Sequence, residues 1–476
     1  MVGVSVTFHK KTTLFASEVL IGLLEFLCRR HVFVILTQME HIIKNFDTLV
    51  CPEHVEGAEN ELRRDALEIA ESGYEAINVG DALQRKMRIE NDDLHIEDKV
   101  YHIGGRRVFF VGIGKCAFVA ANAIERILGD ALTDGIAFGV SSPEHFGLTK
   151  IETLSGTHPL PSEENEKATK RVLEFLSDLQ ENDLVIMLIS GGGSVLLSLP
   201  EAPMTCADEG MIFKELTSRG ATIQEMNTVR KHLSKARGGG LARAAYPAEI
   251  VDIIVSDVPG KDIQFISSGP TVKDTTTVAD AKAVLAKYSI TPTANIVFIE
   301  TTKEEKYFER ATNILFLSSQ DALSAMQNEA EKLGYTVEIV DEQFTGEARD
   351  IGRAVAEKLH ESNPKTALLY AGESTVTITS RSGIGGRNQE MALAALAFIQ
   401  DGELILPFAS DGHDNSDHAG AIADCISQAH ANENKLSISE YLDEHRSYDF
   451  FINTGDAVST GYTGSNVSDI IIALKK

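Results

Sequence analysis

The stretch that decides the fold is RRVFFVGIGKCAFVAANAIERIL, residues 106–128. Its first part, RRVFFVGIG (106–114), reads as an apolar strand running into a glycine turn. Its second, CAFVAANAIERIL (116–128), carries helical spacing. A strand that passes through a tight glycine turn into a helix is the building unit of a parallel α/β sheet. The glycines let backbone approach a ligand closely, and the helix N-terminus favours an anion. Lys115 inside the turn is the unusual residue, because a cation at a helix N-terminus opposes the dipole. That placement makes sense if Lys115 holds an anionic group. GxGxxA alone is a weak dinucleotide fingerprint.

Outward from this stretch the same rhythm repeats. Helices are expected over 59–79, 116–128 and 162–179, the last opened by Ser162 and three acidic residues. Strands are expected at 135–140, 183–190 and 249–258, then at 313–317, 336–340, 366–372 and 404–412. Continuous apolar strands separated by helices predict a parallel sheet covered on both faces. The fold class is α/β. A domain break is expected near 295–310, giving a large domain over 58–300 and a smaller one over 301–476.

With 476 residues, two or three domains are expected. The chain carries 44 basic and 70 acidic side chains, a formal charge of −26, which argues against a nucleic-acid binder. Five scattered cysteines without a CxxC pair argue against a disulfide framework or a zinc site and suit a reducing cytoplasm. Residues 14–37 are apolar but hold Glu18, Glu25, Arg29 and Arg30, so neither a membrane span nor a signal peptide is expected there. Residues 1–55 are taken as an extension, or as preceding a true start at Met39, outside the catalytic argument.

Further motifs follow predicted strands, where open parallel sheets bind ligands. SGGGS (190–194) offers Ser190, Gly191, Gly192, Gly193 and Ser194 as a backbone nest for phosphate oxygens. NTVRKHLSKARGGG (227–240) gathers Arg230, Lys231, Lys235 and Arg237, with Asn227 and Arg230 one helical turn apart. Asp257 in SDVPGKD and Asp411 in SDGHDNSDHAG end strands, where a carboxylate suits Mg²⁺ or a hydroxyl proton. GIGGRNQE (383–390) places Arg387 at a helix start, with the two-pronged geometry that matches carboxylate or phosphate. His413 and His418 lack a third ligand at zinc spacing. Thr463, Ser465 and Asn466 are candidate donors in TGYTGSNVSD (460–469). Because Lys115, Arg230, Lys231, Lys235, Arg237 and Arg387 all lie beside glycine loops or strand ends, a basic pocket in an acidic body is expected.

Taken together, GIGKCA, THPLPSEEN, LISGGGSVLLSLP, MNTVRKHLSKARGG, SDVPGKDIQFISSGPT, GESTVTI, GGRNQE, SDGHD and TGYTGSNVSD resemble the glycerate 2-kinase family over about residues 58–476. The family usually has Lys where Arg237 stands and commonly Pro where Tyr462 stands. The resemblance implies a Rossmann-like, three-layer N-terminal domain, a smaller MOFRL-type α/β C-terminal domain, and an active site in the cleft between them. It implies ATP-dependent phosphorylation of D-glycerate at the 2-hydroxyl, with Mg²⁺, giving 2-phosphoglycerate. Lys115 and Arg387 are carried over as key positions, with Asp257 and Asp411 nearby as catalytic or metal-binding groups. Arg387 or Arg230, with Asn227, would bind the glycerate carboxylate. Such an enzyme would be cytoplasmic, a monomer or homodimer, with no nucleic-acid or membrane partner. The rival readings are an NAD(P)-dependent hydroxyacid dehydrogenase using GIGKCA as its cofactor turn, and a non-enzymatic sugar-phosphate sensor.

Overall fold

The expected apolar runs are strands, buried almost throughout: Val108–Ile113, Leu184–Ile189 and Glu249–Val255 expose scarcely a side chain. A computed structural model describes residues 41–50, 58–140, 147–257, 262–292, 295–378 and 383–476. In it these three strands sit at the centre of a six-stranded, all-parallel sheet. The spatial order is Ile151–Ser155, Leu132–Gly139, Val108–Ile113, Leu184–Ile189, Glu249–Val255, Ala311–Leu317. Chain order reverses between Val108–Ile113 and Leu184–Ile189, which is where a doubly wound sheet opens its ligand crevice. The GIGKCA and SGGGS turns leave the sheet at that crevice. The expectations for residues 14–37, Cys28 and Cys51 fall outside the described residues. Among the described residues no helix is long and apolar enough to cross a membrane. Among the described residues Cys116, Cys206 and Cys425 form no disulfide.

The second sheet is mixed rather than parallel. Thr336–Glu347 runs parallel to Thr366–Thr375. The last strand, Asp469–Lys475, is antiparallel to both Thr366–Thr375 and Glu403–Ala409 and lies between them. The sequence reading missed this strand, although DIIIALK is as apolar as the others and buried through Leu474. Its position decides the site. Asp469 stands opposite Gly372 on one side and Ala409 on the other. The register therefore collects Asp469, Glu373 and Asp411 at one edge of the sheet.

Two expected boundaries shift. Ala311–Leu317, expected to open the second domain, pairs with Glu249–Val255 and completes the first sheet. Helix Ala58–Ile77, expected to open the first domain, packs instead along Ser319–Lys332 and against the strands Glu403–Ala409 and Asp469–Lys475. Buried Arg63 holds it there, with Nε 2.6 Å from Asp424 and Nη2 2.8 Å from Asp456. Removing Arg63 would strand buried carboxylates, which typically costs about 3–5 kcal/mol. Residues 43–476 form one compact unit, so the two sheets share a single body.

Candidate active site

The two glycine turns of the first sheet are laced together. Gly114 has φ +114°, and a Cβ there would lie 2.4 Å from Ser190 Oγ and 2.5 Å from its carbonyl oxygen. Lys115 N–H donates to Gly191 O at 2.8 Å. Cys116 N–H donates to Ser190 Oγ at 3.1 Å, and that hydroxyl donates to Ile113 O. Ser190 is fully buried and spends its hydroxyl on this clasp, so it is no phosphate donor. Gly191 and Gly193 are pressed against protein: a Cβ would lie 1.9 Å from Asp257 Oδ2 and 2.2 Å from Ser267 Oγ respectively. Of the three, only Gly192, with φ +85°, would meet ordinary contacts, its would-be Cβ lying 3.4 Å from Lys115 Cγ, 3.5 Å from Val140 Cγ2 and 3.7 Å from His158 Cδ2. Ser194 is bonded to Ser268 at 2.9 Å. Of the expected five-residue phosphate nest, Gly192 lines a large cleft, and Gly191, Gly192 and Ser194 line a smaller chamber beside it.

The second sheet supplies the facing wall. Lys115 reaches across to Asp411, with Nζ–Oδ2 2.8 Å. Burial disfavours the Lys115 ammonium, but Asp411 and then Asp257 outweigh it and hold its pKa above the usual lysine value. Arg387 opens helix Arg387–Leu396. Its guanidinium is doubly paired, bonded to Asp469 through Nε and to Glu373 through Nη2 at 2.7 Å. The helix N-terminus behind it is already occupied by an internal anion. Asp414 accepts from the N–H groups of Asn388 at 3.0 Å and Gln389 at 2.7 Å. The anion expected at this helix start is therefore the protein's own carboxylate.

Together these groups line a cleft of about 720 Å³. Lys115, Asp257, Asp411 and Arg387 all face it, as does Gly192. The cleft is not the expected basic pocket. Its described lining holds two cations, Lys115 and Arg387, against six carboxylates: Asp257, Glu373, Glu390, Asp411, Asp414 and Asp469. Three of the cations read as site candidates are elsewhere and neutralised: Lys231 by Asp274 (3.0 Å), Lys235 by Glu201 (2.8 Å) and Arg237 by Glu209 (2.6 Å). Crowded carboxylates show in their acidities. Burial, then the charge of Glu373, pushes Asp257 up to about 6. Burial pushes Asp414 to about 6 and Asp469 to about 7.

A smaller chamber of about 240 Å³ adjoins the cleft and shares His158, Gly192 and Asp257 with it. Helix Ile223–Lys231 presents Asn227 and Arg230 to this chamber, one turn apart as expected. Asn227 is committed: its Oδ1 accepts from Ser268 Oγ at 2.7 Å and its Nδ2 donates to Ile223 O at 3.1 Å. Arg230 is not. Its guanidinium stacks 3.6 Å from the Phe213 ring centroid and has no carboxylate partner among the described residues. Burial, then the neighbouring Arg237 charge, pushes its pKa down to about 9, which leaves it charged at neutral pH.

Three contributors escaped the sequence reading as site residues. His158 lines both chambers and is set by Asn165, whose Oδ1 accepts from Thr157 N–H at 2.9 Å. Glu373 and Asp469 are the partners of Arg387. Both sit inside quoted motifs, GESTVTI and TGYTGSNVSD, but only the sheet register brings them to Arg387. Of the three late donors, only Asn466 faces the cleft, 3.4 Å from Asp257. Thr463 and Ser465 bond to backbone at Ser410 and Ile77. Tyr462 donates to Lys115 O at 2.8 Å. Among the described residues no group of three His, Cys, Asp or Glu side chains forms a metal cage.

A doubly wound sheet whose crevice is closed by a second sheet's carboxylate edge defines an α/β enzyme that works on a small ligand in a cleft. Residues 65–298 match the model described as a domain of unknown function (DUF4147), and residues 366–469 match the MOFRL family. A glycerate 2-kinase from Pyrococcus horikoshii is 37% identical over 440 residues, 86% of this chain and 98% of the relative. A protein from Agrobacterium vitis provisionally named as a hydroxypyruvate reductase is 38% identical over 381 residues, 76% of this chain and 86% of the relative. The crystal structure of a glycerate kinase from Thermotoga maritima superposes with a TM-score of 0.76 at 31% identity, over 87% of this chain and all of the other. The chain belongs to the glycerate 2-kinase family and is an enzyme of the kinase class.

Proposed function

We propose that the protein transfers the γ-phosphoryl group of ATP to the 2-hydroxyl of D-glycerate, giving 2-phosphoglycerate and ADP. The observation that carries this reading is the meeting of two unequal chambers at Asp257. The larger has room and paired cations for a polyphosphate. The smaller has one unpaired arginine, which suits a small carboxylate.

Phosphoryl transfer asks for alignment and charge stabilisation more than covalent chemistry. Arg230 holds the glycerate carboxylate, and Asn227 keeps that helix anchored. Asp257, which lines both chambers, accepts the proton of the 2-hydroxyl as its oxygen attacks the γ-phosphorus and the bond to the β-phosphate breaks. Lys115 stabilises the transferring oxygens, with Asp411 holding its ammonium in place. Arg387 and the Gly192 backbone meet the phosphates. The donor set fits a hard divalent cation, since the cleft carboxylates repel one another and offer only oxygen. Glu373, on the cleft wall, is the residue that would hold Mg²⁺ there, leaving Asp411 to Lys115. Mg²⁺ would neutralise phosphate charge in a cleft that carries four more carboxylates than cations.

The test couples the reaction of the full chain with ATP, Mg²⁺ and D-glycerate to enolase, which consumes 2-phosphoglycerate directly. An enolase-dependent signal supports the reading. ADP release without that signal would move the phosphoryl group to the 3-hydroxyl. Oxidation of NAD(P)H with hydroxypyruvate, in the absence of kinase turnover, would favour the dehydrogenase instead.

A further inference from the structure

D-glycerate carries three polar groups: a carboxylate, a 2-hydroxyl and a 3-hydroxyl. On the proposed reading Arg230 takes the first and Asp257 the second. The smaller chamber leaves few groups for the third. Asn227 and Ser194 are tied to Ser268. Ser267 Oγ donates to Ser190 O at 2.7 Å. His158 is the remaining polar side chain there, and it lines both chambers beside Gly192. No hydrogen bond ties its ring to another described residue, while the loop that carries it is pinned through Thr157 to Asn165.

We infer that His158 hydrogen-bonds the 3-hydroxyl of the acceptor and so selects a 2,3-dihydroxy acid over a 2-hydroxy acid that lacks that group. The ring suits this task. Partial burial and the charges of Lys115 and Arg230 push its pKa down to about 4, so it stays neutral at working pH. A neutral imidazole offers one donor and one acceptor, which a hydroxyl can use in either sense. A cation at this point would instead compete with Arg230 for the carboxylate. His158 is therefore a positioning and specificity residue, lining the chamber that also holds Arg230 and Asp257.

The experiment uses the full-length protein, His158→Leu and His158→Gln. It measures KM for D-glycerate, KM for ATP, and the inhibition constant of D-lactate against D-glycerate. D-lactate is D-glycerate without the 3-hydroxyl. His158→Leu should raise KM for D-glycerate about tenfold, the effect of one lost hydrogen bond with an unpaired hydroxyl left behind. KM for ATP and the D-lactate constant should stay within about twofold, and His158→Gln should recover part of the loss. A D-glycerate KM within twofold of wild type in His158→Leu overturns the inference. So does a D-lactate constant that rises in step with it, because damage to the loop would weaken both acids. Absence of D-glycerate-dependent ADP release by the wild type would overturn the underlying kinase reading instead.

Discussion

Arg387 and Arg230 carry the same charge in opposite settings. Arg387 stands on the wall of the large cleft with two carboxylates on its guanidinium, Asp469 and Glu373. Arg230 lies in the small chamber against a phenyl ring, with no acidic partner among the described residues. Burial disfavours both cations. At Arg387 the two carboxylates outweigh it and hold the pKa above the ordinary arginine value, whereas at Arg230 the pKa falls to about 9. A paired arginine is fixed in place by its carboxylates. An unpaired one retains an unspent demand for an anion. On the proposed reading the two take different ligands, although beside glycine loops in the sequence they looked alike.

The sharpest way to break the comparison is to remove the cleft cations. Lys115→Ala and Arg387→Ala should each lower kcat by about a hundredfold or more, with far-UV circular dichroism unchanged. Near-normal turnover in either variant would refute its assigned role. Arg230→Met should act on binding instead. Loss of a charge-assisted pair should raise KM for D-glycerate about 10–100-fold while KM for ATP stays within about twofold. The distinction collapses if Arg387→Ala raises the D-glycerate KM and Arg230→Met does not.

A third measurement reads the group between the chambers. Asp257 must be ionised to accept a proton, and its carboxyl is pushed up to about 6. The logarithm of kcat/KM should therefore fall with slope about one below pH 6, and Asp257→Asn should abolish that limb along with most activity. The same shift has a stability sign. A carboxyl whose folded pKa is raised binds its proton more tightly in the fold. Its contribution is thus most favourable at low pH and is lost as pH rises through about 6. The smallest effect is expected at Ser190. Ser190→Ala should cost about 1–3 kcal/mol in urea unfolding, by leaving Cys116 N–H without its acceptor, and change turnover less than threefold.

How much of this was legible follows from the distances along the chain. The strand–turn–helix units could be read locally. Val108–Ile113 is apolar on both faces because it is interior, and Gly114 is glycine because Ser190 backbone crosses it. Lys115, Asp257, Asp411 and Arg387 were singled out because strand ends and helix starts are where a parallel sheet exposes them. The expected basic pocket failed because charge balance is a long-range property. Lys115 meets Asp411 across 296 residues, and Arg387 meets Asp469 across 82. Ser190 looked like a phosphate donor because a free hydroxyl and a clasping one are identical in sequence.

By itself the sequence determined the layered α/β class, the glycine turns and which residue types stand at strand ends. These depend on periodicity and backbone sterics, which act over a few residues. Only the tertiary structure decided which cations are spent and which are free. Inserting Asp469–Lys475 antiparallel into the middle of the second sheet brings Asp469 and Glu373 onto Arg387. Ion pairing depends on separation in space, and here the register of a strand that the local reading passed over sets that separation.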